Sequence, residues 1–316
     1  MIKKSLIVLL MLTLVGCANS KQQKINEYTS TGQKMCLKGK CEESVDFFNK
    51  AIDLDPENAE SHYLLGIVYE NTNRTNKAID EYKKTLELKK DHDEANESLA
   101  LAYLKLKQLN LAKEQLEDFI EKNPDNAKGY VLLGKLNILK KDFPESLNNL
   151  KQAITLDPES DDAYFNLGNA YYQMQKVDEA KANYEKALEL NPDNSNTLIN
   201  LAGIYVKESN YDKAIDQYNK ILEKDPGSIV ANFNLGTIYG MKNDLPQAQS
   251  RFLKVIEANP LLLDAHLNLA MIYEKTGQKE ALQKEIAVIN QINPELIKKM
   301  QEEAIKKQKN ANKPKK

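Results

Sequence analysis

The chain has 316 residues, of which 41% are hydrophobic and 28% are charged, with no Trp and only 12 Gly. That profile excludes a disordered chain and a disulfide-dense scaffold, and it is typical of a folded helical protein. The formal net charge is −2, and Arg74 and Arg251 are the only arginines, so the Arg-rich basic stripe of a nucleic-acid-binding protein is missing.

The charge is unevenly distributed along the chain. Two of the 44 basic residues lie in 1–16 and six lie in 306–316, which leaves 36 basic against 46 acidic residues, a net charge of −10, between 17 and 305. The basic tail at 310–316 predicts a frayed, solvated terminus. Contact of this tail with anionic lipid headgroups or with an acidic partner is the alternative.

The N-terminus has the pattern of an export signal. Residues 1–16 contain two lysines, then an apolar run and a final small residue, Gly16, which predicts a signal peptide too short to span a membrane. Leu14, Val15, Gly16 and Cys17 resemble the lipobox of bacterial lipoproteins. The resemblance implies that Cys17 is acylated, as by palmitate, and anchors the mature protein in a membrane of the cell envelope. An ordinary secretory peptide cleaved elsewhere is the alternative.

Residues 17–24 are predicted to be a short tether. The seven residues from Ala18 to Lys24 reach at most about 25 Å when fully extended, so the rest of the chain is expected to lie close to the bilayer. In a host with two membranes, Ala18 resembles the residue after the cysteine in lipoproteins exported to the outer membrane, which implies a location on its periplasmic face.

Residues 25–296 repeat with a period of 34 and without insertions. Position 8 of every block is Gly or Ala, position 20 is small in seven blocks, and position 32 is Pro in seven. Small residues allow two helices to approach closely and Pro ends the second helix, so each block is predicted to be a pair of antiparallel helices. Asp142 and Asp244 are predicted N-caps of second helices. The blocks are 25–58, 59–92, 93–126, 127–160, 161–194, 195–228, 229–262 and 263–296.

This pattern of Leu-Gly, Tyr, Ala, an aromatic residue and Pro resembles the tetratricopeptide repeat (TPR) family. The resemblance implies an all-α, right-handed superhelical solenoid of eight helix-turn-helix repeats. After Pro294, apolar residues recur on one helical face, at Leu296, Ile297, Met300, Ala304 and Ile305, and predict a capping helix over 295–309.

Residues suited to catalysis are not clustered. Every Gly lies at the lipobox or at a repeat position, so no Gly-rich phosphate loop is present. The three histidines are isolated in the sequence: His62 and His266 occupy repeat position 4, a packing position, and His92 lies in a turn between repeats. We therefore expect no catalytic or metal site, no cofactor and no small-molecule substrate, and we expect that the protein is not an enzyme.

Position 6 of the last four blocks is Asn, at Asn166, Asn200, Asn234 and Asn268. In the TPR family this position faces the concave groove, and the four amides resemble the Asn ladder of O-GlcNAc transferase, which holds peptide backbone. Asn is also common at position 6 in TPR proteins generally, so a family habit is the alternative. Position 5 makes the groove partly apolar, with Asn169 at position 9; the position 5 residues are Phe165, Ile199, Phe233 and Leu267.

Cys36 and Cys41 are an even pair once Cys17 is acylated. They flank the predicted turn between the two helices of the first block, where Gly39 allows the chain to reverse. Two hypotheses stay open at this point, a disulfide across the turn and two reduced thiols.

The resemblance to the TPR family implies that the protein works by binding other proteins through peptide segments. The first hypothesis is a membrane-anchored scaffold or adaptor of the bacterial cell envelope, comparable to lipoproteins of pilus or secretin assembly. The second is a substrate-recruiting or regulatory subunit of an enzyme complex, such as a glycosyltransferase or a cell-wall hydrolase.

Overall fold

The computed structural model describes the backbone of residues 2–299 and the side chains of residues 20–299. Within that part of the chain all regular elements are α-helices, and none is long and apolar enough to cross a membrane. The helices are α1 (Ile2–Leu37), α2 (Cys41–Leu54), α3 (Ala59–Asn71), α4 (Thr75–Leu88), α5 (Asp93–Lys105), α6 (Leu109–Lys122), α7 (Ala127–Leu139), α8 (Phe143–Leu156), α9 (Asp161–Gln173), α10 (Val177–Leu190), α11 (Ser195–Lys207), α12 (Tyr211–Lys224), α13 (Ile229–Met241), α14 (Leu245–Ala258), α15 (Leu263–Thr276) and α16 (Lys279–Ile292).

The helices form two compact units. Unit 1 comprises residues 1–175 with α1 to α9, and unit 2 comprises residues 176–316 with α10 to α16. Inside each unit every helix packs on the next helix in the chain, and in unit 1 α7 also contacts both α5 and α9. Odd-numbered helices are the first helices of the blocks and even-numbered helices are the second helices.

The helix starts follow the predicted block boundaries. From α3 onward each first helix begins at the first residue of its block, and every second helix begins at position 17 of its block. The first block differs, because α1 runs from Ile2 to Leu37 without a break at the predicted tether. Residues 18–24 contain no Gly or Pro, so nothing in this segment stops a helix. Residues 294–299 are also helical, while the rest of the predicted capping helix and the basic tail lie outside the described residues.

Small residues bring the two helices of a block together, as the sequence predicted. A Cβ atom on Gly66 would lie 2.5 Å from the Tyr82 ring, and one on Gly134 would lie 2.6 Å from Leu150 Cγ. No carbon atom fits at those distances, so in these two blocks position 8 admits only glycine unless the facing side chain moves. The seven small residues at position 20 are all completely buried: Ser44, Ala78, Ala112, Ser146, Ala180, Ala214 and Ala248.

A left-handed residue at position 15 of each block reverses the chain between the two helices. In the turn after α3, Arg74 N–H donates to Tyr69 O at 2.7 Å, and Asn73 between them has a φ of 61°. This is the 6→1 bond of a Schellman motif. Glycine occupies the position at Gly39 and Gly277, and the other six residues are Asn73, Lys107, Lys141, Gln175, Ser209 and Asn243.

The two predicted N-caps are confirmed. The Asp142 carboxylate accepts from Glu145 N–H at 3.4 Å, and the Asp244 carboxylate accepts from Gln247 N–H at 3.3 Å. In both helices a Pro lies within the first two positions, where its missing N–H removes no helical hydrogen bond.

Candidate functional site

The first helices of unit 2 present one face on which positions 2, 6, 9 and 13 lie together, because residues spaced by three or four share a side of a helix. On α13 these residues are Val230, Asn234, Thr237 and Met241. The same positions carry Asn200 on α11 and both Asn268 and Met271 on α15. We call this surface the amide face; it comprises Asn200, Asn234, Asn268, Val230, Met241 and Met271.

The asparagines of the amide face are half-buried, and each donates one amide hydrogen within the protein. Asn234 donates to Val230 O and Asn268 to Asp264 O, both at 2.8 Å. Asn200 lies 3.4 Å from the Tyr184 hydroxyl. An Asn amide has two N–H donors and an oxygen with two lone pairs, so Asn234 and Asn268 each keep one N–H and the Oδ1 outside the hydrogen bonds of the described residues.

Asn166 differs from the other three predicted ladder residues. It belongs to unit 1, is 7% exposed, and donates its amide to Asp162 O at 2.8 Å. This bond to the carbonyl four residues earlier, which a short amide side chain can form inside a helix, is the one that Asn234 and Asn268 also make. Burial therefore distinguishes Asn166 from the other three asparagines, and its contact with a ligand stays a prediction. Asn169, also in unit 1, is half-buried and has interactions within the protein.

The residues at position 5 are half-buried and contribute to packing. The Phe233 ring meets the Phe252 ring edge-on, with centroids 5.5 Å apart, and packs on the core of unit 2. Edge-to-face pairs of this kind stabilise a core beyond their buried area. Only part of each side chain is accessible to a ligand; the other position 5 residues are Phe165, Ile199 and Leu267.

Sequence reasoning missed the exposed apolar residues of the amide face. Met241 is 56% exposed, Met271 is 66% exposed and Val230 is 47% exposed. A Cβ added at Gly203 or Gly240 would meet no atom within 4 Å, so the surface beside the amides is open. The signal was available, because these apolar residues lie three, four or seven positions from an Asn of the same helix.

Tyr205 on α11 is held by a hydrogen bond and by two cation–π contacts. The Tyr205 hydroxyl donates to Glu185 Oε1 at 3.1 Å, and the Lys181 and Lys213 ammonium groups lie 5.0 and 5.4 Å from the ring centroid. Burial, followed by the Glu185 carboxylate, raises the pKa of Tyr205 to about 12. Tyr205 is therefore a neutral donor at physiological pH and fixes α11 on α10.

The histidines at position 4 are buried, as expected of a packing position, and each meets a carboxylate. His62 Nδ1 lies 2.6 Å from Glu81 Oε2, and its Nε2 lies 3.1 Å from Pro56 O of the preceding block. The ring thereby links two blocks through buried polar contacts. The same positions, 4 and 23, form four such pairs: His62–Glu81, Asn96–Gln115, Asn232–Arg251 and His266–Glu285.

These contacts are structural. His92 caps α5, accepting from Ala95 N–H at 3.3 Å, which agrees with its predicted place in a turn. Among the described residues, no group of three His, Cys, Asp or Glu side chains has the arrangement of a metal site.

Two cysteines meet at the turn of the first block. The structure joins Cys36 and Cys41 by a disulfide, with the Cα atoms 3.9 Å apart. The bond links the end of α1 to the start of α2 and lies against the core of unit 1. The side chain of Cys17 lies outside the described residues, so its acylation stays a prediction.

Family profiles match most of the repeat region. Profiles described as Tetratricopeptide repeat match residues 59–92, 94–126, 161–194, 183–216 and 217–250. A profile described as TPR repeat matches residues 32–73 and 138–175. Together the matches cover more than half of the chain. No curated protein matches it.

Several solved structures are similar in fold. A tetratricopeptide repeat protein from Parabacteroides merdae is 15% identical, with a TM-score of 0.58, and the match covers 84% of this chain and 99% of that protein. A TPR protein from Thermus thermophilus, TTC0263, is 24% identical with a TM-score of 0.52, covering 57% and 98%. The APC/C hetero-tetramer Cut9-Hcn1 is 18% identical with a TM-score of 0.61, covering 78% of this chain and 48% of the other.

Proposed function

We propose that this chain, which belongs to the tetratricopeptide repeat family, is a membrane-anchored scaffold that binds extended segments of partner proteins on the amide face of unit 2. The observation that carries the proposal is the state of Asn234 and Asn268. Each keeps an N–H donor and an oxygen acceptor outside the hydrogen bonds of the described residues, beside the exposed Met241 or Met271.

The chemistry of the amide face suits a peptide main chain. An extended segment offers N–H and C=O groups along its length, and an Asn amide pairs with both kinds of group. Successive side chains of such a segment point to opposite sides, so every second one lies against the face. Methionine adapts its shape to different apolar partners, which favours binding of several related sequences.

The anchor places this binding surface at a membrane. Acylation of Cys17 follows from the lipobox resemblance, and two or more acyl chains hold a protein stably on a bilayer. In a host with two membranes, Ala18 favours the periplasmic face of the outer one. Replacing Cys17 with Ser is expected to leave the protein soluble or uncleaved. Unchanged partitioning of a cleaved variant into the membrane fraction would rule out the anchor.

Site-specific photocrosslinking tests binding on the amide face. p-Benzoylphenylalanine at Thr237 of the full-length chain lies between Asn234 and Met241 on the same side of α13. We expect ultraviolet light to attach a small set of envelope proteins to this position in living cells. The identity of these proteins separates an adaptor from the recruiting subunit of an enzyme complex.

The matched control places the same photoreactive residue at Lys220. Lys220 is exposed on the second helix α12 of the same unit, so it reports contacts that do not involve the amide face. Identical adducts at both positions, or no adduct at Thr237, would refute binding on the amide face.

A further inference from the structure

Unit 1 presents a different surface at the same repeat positions. On α5, Leu101 and Lys105 are four residues apart, and on α7 so are Lys135 and Leu139, so each pair shares one side of its helix. Leu101 is 43% exposed and Leu139 is 52% exposed. Because α5 and α7 contact each other, the two pairs form one patch, which we call the leucine patch.

The leucine patch surrounds a surface pocket of about 420 Å³. Its apolar lining comes from the two exposed leucines and from Leu104, which is 7% exposed at the base. The full lining is Glu70, Tyr82, Ser98, Leu101, Leu104, Lys105, Lys135 and Leu139.

The pocket carries one positive charge without a salt-bridge partner. Lys105 Nζ lies 2.6 Å from Glu70 Oε1, so these two charges neutralise each other. Lys135 is exposed and forms no salt bridge within the described residues. The Asp162 carboxylate interacts with the Lys135 charge electrostatically, but no salt bridge joins the two groups. An anion entering beside Leu139 would therefore meet an available ammonium group.

From this arrangement we infer that the leucine patch is a second binding site, for a protein segment in which a bulky apolar residue stands next to Asp or Glu. The apolar side chain enters the pocket between Leu101 and Leu139, and the carboxylate pairs with Lys135. The chain between 17 and 305 has a net charge of −10, so an acidic segment is repelled over much of the surface and is retained where a lysine faces it. The inference shares with the proposed function only the premise that the ligand is a protein segment.

Selection from a phage-displayed library of random octapeptides on the full-length chain tests the inference. We expect enrichment of clones with Leu, Ile, Met or Phe adjacent to Asp or Glu. Replacing Leu139 with Ser should weaken those clones by about tenfold, the size expected for one buried apolar anchor. Lys135→Glu should abolish the acidic preference and select clones with Lys or Arg in its place.

Matched controls lie on second helices of unit 1. Leu111→Ser changes a leucine of similar exposure, 44%, and Lys151→Glu changes an exposed lysine; neither should affect the clones. All four positions are exposed, and circular dichroism checks that each variant is folded. The triple replacement of Asn200, Asn234 and Asn268 by Ala should also leave these clones bound, which separates this site from the amide face. Enrichment without acidic residues, or clones insensitive to both Leu139→Ser and Lys135→Glu, would overturn the inference.

Discussion

The leucine patch of unit 1 and the amide face of unit 2 occupy the same positions of the same repeat, yet they present different chemistry. Position 6 is Ser98 on α5 and Leu132 on α7, whereas it is Asn on α11, α13 and α15. The buried positions hardly differ, since small residues at 8 and 20 set the helix spacing in both units. The repeat therefore separates folding from recognition, because the residues that fix the backbone are not those that meet a ligand.

The largest expected effect concerns the glycine at repeat position 8, which occurs in both units. Gly66 in unit 1 and Gly236 in unit 2 face Tyr82 and Phe252, and an added Cβ would lie 2.5 and 2.9 Å from those rings. Replacing either glycine with Val should lower the free energy of unfolding by about 3 kcal/mol through overpacking. Gly203→Val at the open position is the control and should cost far less. Urea denaturation measures the free energy of unfolding of all three variants. A large loss of stability for only one of Gly66→Val and Gly236→Val would show that position 8 does not have the same role in both units.

The disulfide should stabilise one unit alone. Closing the short loop between Cys36 and Cys41 is expected to contribute about 2 kcal/mol by restricting the unfolded chain. In the double variant Cys36→Ser with Cys41→Ser, hydrogen exchange should accelerate in α1 and α2 and stay unchanged in α12 to α14. Mass spectrometry that finds both thiols free in freshly isolated protein would argue for the reduced pair instead.

Alkaline pH should affect both units in the same direction. Burial raises the pKa of Tyr218 in unit 2 to about 12 and raises the pKa of Tyr82 in unit 1, which the Glu70 carboxylate raises further. A raised pKa in the folded state means that stability is complete below pH 10 and is lost as the pH rises towards the folded pKa. For Tyr218 the loss should approach about 2 kcal/mol. Tyr218→Phe should flatten the decline in unit 2 between pH 10 and 12, and an unchanged pH profile would contradict the assignment.

The smallest effect concerns the turns. Lys141 in unit 1 and Ser209 in unit 2 have positive φ values of 61° and 57°, a conformation that costs an L-residue about 1 kcal/mol or more. Lys141→Gly and Ser209→Gly should therefore each raise the melting temperature slightly. Gly277→Ala should lower it, because Gly277 already occupies the equivalent position with a φ of 73°. Changes in melting temperature of the opposite sign would show that positive φ does not strain these turns.

The fold was largely predictable because its determinants are local and repeated. Most blocks repeat the small residues and the proline, so a period of 34 in the sequence specified where the helices begin. The left-handed turn was predicted only at Gly39. Gly277, Asn73 and Asn243 also tolerate positive φ, whereas Lys107 and Lys141 have no intrinsic preference for it. The packing of the two helices imposes that conformation, and a single residue does not reveal it.

The binding surfaces were only partly predictable. The positions of Asn200, Asn234 and Asn268 followed from the repeat, but the burial of Asn166 depends on its surroundings in the folded chain. The leucine patch was missed because Leu101 and Lys135 come from different blocks and become neighbours only when α5 packs on α7. Exposure and pairing across blocks are properties of the folded chain rather than of one block.

The most direct test of two separate binding faces uses two fluorescein-labelled peptides selected from the phage library, one dependent on each face. Fluorescence polarisation would measure their affinity for the triple variant of Asn200, Asn234 and Asn268 to Ala and for the double variant Leu101→Ser with Leu139→Ser. Each lost amide contact should cost about 0.5 to 1.5 kcal/mol, so the triple variant should weaken the first peptide by about tenfold or more and leave the second unchanged. The double variant should do the reverse, with little change in melting temperature in either case. Equal weakening of both peptides by either folded variant would contradict the account.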